Sequence, residues 1–114
     1  MIDIKIFRAY RGEGKTKWLF ERAVEARDAG CELWYIGGEK TMITLSEMWR
    51  ANMHEPCPIK DTRGGYGPQD KDAKYCFLTD EFIANMYMAG FWSNIVKQFD
   101  GTWYITMNKE DFVN

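Results

Sequence analysis

Residues 2–16, IDIKIFRAYRGEGKT, decide how the rest of the chain is read. Ile2, Ile4 and Ile6 alternate with Asp3 and Lys5, the period of two that a β-strand imposes on its two faces. Residues 8–14 then hold two glycines and no sustained alternation, which marks a loop. From Lys15 to about Ala29 the spacing becomes helical, with Leu19, Phe20, Ala23, Val24 and Ala26 on one broad face. A strand, a short glycine loop and an amphipathic helix in direct succession open a βα unit. The expected class is therefore α/β with a mostly parallel sheet.

The loop itself carries chemistry. Residues 9–16 run Ala9, Tyr10, Arg11, Gly12, Glu13, Gly14, Lys15, Thr16, and match the phosphate-loop pattern GxxxxGK[ST] except that Ala9 stands at the first glycine. A phosphate chain must come close to backbone N–H groups, so Gly12 and Gly14 keep side chains out of its way. The helix that starts at Lys15 points its positive end at the anion. Lys15 can reach the β- and γ-phosphates, and Thr16 can offer its hydroxyl to Mg²⁺. All eight residues are taken as nucleotide-binding, with ATP and Mg²⁺ as the implied ligands.

Working outward, Asp28-Ala29-Gly30 ends the first helix, with Gly30 as a left-handed cap. Residues 33–36 (LWYI) form a second strand closed by Gly37-Gly38. Residues 43–53 read as a short helix capped by Thr44 or Ser46. Residues 56–74 hold three Pro and three Gly and read as one long loop. Residues 75–79 (YCFLT) are a short buried strand. Residues 81–98 are helical, with Phe82, Ile83, Met86, Trp92, Ile95, Val96 and Phe99 near one stripe. Residues 103–105 (WYI) are a last strand. The fold this predicts is a three-layer domain over residues 1–114, with about four strands and helices on both faces.

The strand at 75–79 runs into Asp80-Glu81, 64 residues beyond Thr16. An acid at a strand end can hold Mg²⁺ through its water shell, because magnesium keeps several waters and uses few carboxylates. Asp80 and Thr16 are thus the metal candidates. Glu81 can orient or deprotonate an attacking water. The last strand also ends in a polar residue, Asn108, with Thr106 just before it. Asn108 is the candidate for sensing the γ-phosphate, beside Lys15, Glu81 and Arg11 as catalytic candidates.

Composition narrows the setting. A chain of 114 residues with 46% hydrophobic and 28% charged residues is long enough for one packed domain. The net charge of −2 gives no overall electrostatic footprint for nucleic acid, though local basic patches are compatible with it. Aromatic content of 16% implies a dense core or an exposed face that meets a partner. Cys31, Cys57 and Cys76 form no CxxC pair, and His54 with Cys57 lacks further ligands for a metal. Free thiols and the lack of a leader-like or membrane-spanning segment make a cytoplasmic protein the expectation.

Together the phosphate loop, the Asp80-Glu81 strand end and the polar-ended final strand resemble the additional-strand, catalytic-glutamate division of P-loop NTPases. Residues 11–16 (RGEGKT) look like the RGxGK[ST] loop of phage DNA-packaging ATPases and terminase large subunits. Asp80-Glu81-Phe82 resembles the acidic motif of some of them. The resemblance implies an oligomeric ATPase that acts on DNA, with Arg11 near the phosphates or sensing a neighbouring subunit. A neighbour would also supply an arginine finger, for which Arg50 and Arg63 are candidates. The chain has no room for a terminase nuclease domain and stops where a further strand usually follows, so a reduced ATPase core is implied. Two other classes share these motifs. One is a small nucleoside or nucleotide kinase with residues 56–74 as a lid. Thymidine kinases also pair a P-loop with Asp-Glu, but the cysteine pairs of their zinc lasso are missing here. The other is a module that binds nucleotide with little turnover.

Overall fold

A computed structural model describes residues 2–62, 68–70, 72–80 and 101–108. Five strands and two helices follow in the order β1 (Ile2–Ala9), α1 (Lys15–Asp28), β2 (Glu32–Ile36), α2 (Glu39–Met53), β3 (Lys60–Asp61), β4 (Tyr75–Thr79) and β5 (Gly101–Asn108). All pairings are parallel, and the sheet order is β1-β5-β4-β2-β3. The α/β class and the parallel sheet stand as the sequence implies. Against an expected count of about four, the described residues form five strands. The fifth is the two-residue β3, inside the stretch read as loop. It pairs through Trp34 with Lys60 and Tyr35 with Asp61. The Thr62 hydroxyl adds a 3.2 Å bond to the Tyr35 carbonyl. So short a strand between prolines leaves no periodicity to read.

The second helix also differs from expectation. It starts at Glu39, four residues early, with Gly38 in extended conformation as its N-cap and no side-chain cap. Thr44 does not cap it. Its hydroxyl instead bonds back to the Lys40 carbonyl at 3.0 Å inside the helix, a common use of threonine within helices. The end of α1 is as expected. Gly30 sits at φ 85° and donates to the Arg27 carbonyl, while Cys31 N–H reaches Ala26, the paired bonds of a Schellman stop.

Parallel pairing buries the central strands, which therefore read as continuous apolar runs. All five residues of β4 are buried. One sheet face carries both described helices. Leu19 and Ala23 of α1 and Leu45 and Trp49 of α2 pack with Leu33, Tyr35, Cys76 and Leu78 of the sheet. Trp18 of α1 stacks on Phe7 of β1 at 5.2 Å and meets Tyr104 of β5 edge-on at 5.7 Å. These contacts place α1 over β1 and β5. On the other face Phe77 stacks on Trp103 at 4.2 Å, a pairing worth about 0.5–1.5 kcal/mol beyond burial. The expected helix over residues 81–98, on which helices on both faces depend, lies outside the described residues.

Among the described residues the aromatics are mostly buried or half-buried. Trp49, Trp103, Tyr35, Tyr75 and Phe77 are fully buried, and Tyr10 is the one large aromatic exposed among the described residues. The exposed apolar patch is instead aliphatic. It lies on the edge strand β1, where Ile4 and Ile6 are 45% and 46% exposed. No described helix is long and apolar enough to cross a membrane.

Candidate functional site

The site forms where the strands' carboxyl ends meet, as expected for an open parallel sheet. Four of these ends contribute to it. The loop at residues 10–14 leaves β1, Gly37-Gly38 leave β2, Asp80 follows β4, and Asn108 closes β5. A cleft of about 570 Å³ lies over them, lined by Arg11, Gly12, Gly14, Lys15, Thr16, Lys17, Lys40, Thr41, Asp80 and Thr106 among others. Four of these carry positive charge, and Asp80 is the single carboxylate among the described lining residues. A cleft so charged suits a polyphosphate accompanied by a cation.

The loop is built around its glycines. Gly12 and Gly14 sit at φ 83° and 85°, a region open to glycine and costly for other residues. A Cβ at either would meet no protein atom within 4 Å, so backbone shape rather than crowding by the protein requires them. Glu13 ties the turn by accepting the Tyr10 N–H at 2.9 Å, while its own N–H bonds the Tyr10 carbonyl at 3.1 Å. Gly14 is the N-cap of α1 and offers no side chain to the first-turn N–H groups. Those groups lack intrahelical partners and form a ready anion site. Ala9, by contrast, is buried at the end of β1 and supports the loop from below.

Lys15 Nζ donates to Asn108 Oδ1 at 2.6 Å and also reaches the Tyr10 carbonyl at 3.3 Å. The structure therefore joins Lys15, at the start of α1, to the polar end of β5, two residues 93 apart in sequence. Asn108 is only 8% exposed, and Thr106 beneath it is buried at the cleft wall.

Asp80 accepts a 2.8 Å bond from the Tyr35 hydroxyl through Oδ2. Its other oxygen, Oδ1, is buried with no hydrogen-bond partner among the described residues. A buried carboxylate oxygen without a donor is costly unless a cation or water meets it. Together with the Thr16 hydroxyl in the same cleft, it fits a Mg²⁺ ion that takes one or two protein oxygens and fills the rest of its shell with waters and phosphate. No group of three or more His, Cys, Asp or Glu side chains suited to holding a metal occurs among the described residues, so a site built wholly from protein ligands is not what these residues offer.

Sequence reasoning missed Tyr35, Lys40 and Thr41. Lys40 and Thr41 come from the first turn of α2, whose start it misplaced. Tyr35 reads as a strand residue, and only the pairing of β2 with β4 brings it to Asp80. Arg50 is exposed in the last turn of α2 and does not line the cleft. Glu81 and Arg63 lie outside the described residues. Comparisons with protein-family models, characterised proteins and solved structures return no match to this chain.

Proposed function

We propose that the chain binds and hydrolyses ATP with Mg²⁺ as a minimal P-loop ATPase. The observation that carries this reading is the convergence of Lys15, Thr16 and Asp80 on one cleft, with Asn108 bonded to Lys15, although they come from three separate regions of sequence. The sheet order adds to it. β5 is inserted between the phosphate-loop strand β1 and the acidic strand β4, as the name of the additional-strand division describes. In this reading the loop and the first turn of α1 cradle the phosphates. Lys15 exchanges its bond to Asn108 for the terminal phosphate, and Asn108 is then free to contact the same group. A Mg²⁺ ion held through Thr16 and Asp80 would neutralise charge on the phosphate oxygens. Lys40, from the first turn of α2, adds a further cation to the cleft, and Glu81 is the candidate to orient the attacking water.

The process driven by hydrolysis is proposed from the resemblance of residues 11–16 to packaging motors. It is a phage-related reaction on DNA carried out by an oligomer. A phosphate-release assay with ATP and Mg²⁺, with and without duplex DNA, tests both levels. Magnesium-dependent release stimulated by DNA is expected. Phosphate transfer to a nucleoside or nucleotide without DNA stimulation would move the assignment to a kinase. Tight ATP binding without turnover would move it to a regulatory module, and no Mg-ATP binding at all would end the P-loop reading.

A further inference from the structure

We propose that Tyr35 is the positioning residue of the magnesium site: its hydroxyl ties down one oxygen of Asp80 and so leaves Oδ1 as the oxygen that meets the cation. This rests on the P-loop reading above and assigns that site's metal geometry to a residue outside its motifs.

Three observations carry it. Tyr35 is fully buried on β2, and its hydroxyl donates to Asp80 Oδ2 at 2.8 Å. The other Asp80 oxygen is buried and unpartnered among the described residues. The hydroxyl is also given its room by Gly37. A Cβ at that position would fall 2.2 Å from the Tyr35 oxygen and 2.5 Å from the ring carbon bearing it. Real Cβ atoms do not come so near, and here the obstacle is the end of a packed ring. Gly37 lies just past the end of β2, on the side to which the Tyr35 ring turns. Thr41 on α2 also faces the hydroxyl, and the Asp61 charge on β3 lies near it. A fixed donor on Oδ2 makes Asp80 a one-oxygen ligand in a set orientation, as outer partners do for metal-binding carboxylates.

The test uses the full chain and measures ATP binding as a function of Mg²⁺, ATP binding without Mg²⁺, and thermal unfolding. Tyr35→Phe keeps the ring and removes the donor. It is expected to raise the half-saturating Mg²⁺ concentration about tenfold, the size seen when an outer-shell partner is lost, and to leave metal-free ATP binding unchanged. Gly37→Ala, which displaces the hydroxyl while keeping it, should move the Mg²⁺ midpoint the same way. A Tyr35→Phe protein with a wild-type Mg²⁺ midpoint overturns the proposal, whether or not its melting temperature falls, because a purely packing role moves stability alone. Failure of the wild-type chain to bind Mg-ATP is a different result, seen before any variant is made. It removes the P-loop reading, and this proposal with it.

Discussion

Lys15 donates to Asn108 and to the Tyr10 carbonyl, two acceptors with which a phosphate would compete. Replacing it removes charge-assisted bonds worth about 1.5–3 kcal/mol each, so Lys15→Ala is expected to weaken ATP binding by roughly two orders of magnitude, measured by titration calorimetry. Unchanged affinity would exclude the loop from phosphate recognition. Glu81→Gln is expected to keep binding and cut single-turnover hydrolysis by roughly 10²–10⁴, the contribution of a positioned general base. Equal turnover would remove Glu81 from the chemistry. At this scale the glycine loop between β1 and α1 was legible because its glycines and Lys15-Thr16 sit next to each other in the chain. Asp80 was legible as an acid at the end of an apolar run. Tyr35 was not, since nothing local distinguishes a tyrosine that bonds a distant carboxylate from one that fills a core.

Helix α2 joins two roles. Its first turn brings Lys40 to the cleft, and its last turns lock onto α1. Lys40→Ala is expected to lower hydrolysis by a factor of roughly 10², as for loss of one group that stabilises developing charge, with little change in ATP affinity. An equal loss of affinity and rate would make Lys40 a simple binding residue. At the other end Trp49 is fully buried, meets Phe20 edge-on, and donates to Glu55 at 3.1 Å, while Arg27 of α1 lies over its ring at 5.1 Å and pairs with Glu55. Trp49→Ala should cost about 3–5 kcal/mol in urea unfolding, because it opens a large cavity and unbinds two helices. A loss under about 1 kcal/mol would show that α2 is held elsewhere. The core face of α1 followed from its 3.6-residue spacing. The start of α2 did not, because Gly38 caps it without a side chain and Thr44 mimics a capping residue while bonding within the helix.

Among the described residues, burial holds several weak acids in their protonated form, Cys76 and Tyr35 most strongly, and this weakens the fold at alkaline pH. Burial raises the Cys76 thiol above its ordinary 9.0, and raises the Tyr35 phenol above 10.0. In the unfolded chain these groups ionise near those ordinary values, while in the folded chain they keep their protons. Stability is therefore whole below about pH 9 and declines above it, by up to about 1.4 kcal/mol per pH unit for each ionising group. Melting temperature measured from pH 7.5 to 10.5 should fall on the alkaline side, and Cys76→Ala should flatten the decline between pH 9 and 10. A variant curve parallel to wild type would assign the alkaline loss to other groups. The parallel class was open to sequence because helical and strand periods alternate. The order of strands was not, since pairing across the sheet is set by the packed whole. That order also governs how the chain comes together. Among the described strands β1 pairs with β5 alone, joining Ile2 to Gly101 at one end and Ala9 to Asn108 at the other. Among the described strands, β1 and the glycine loop that follows it gain a neighbouring strand only when β5 arrives. Contact between such distant partners is slow to form, because loop closure precedes any gain from pairing. During vectorial synthesis, nucleotide competence should therefore arise in a late step rather than accumulate with chain length. Refolding followed by ATP binding should lag behind refolding followed by helical signal.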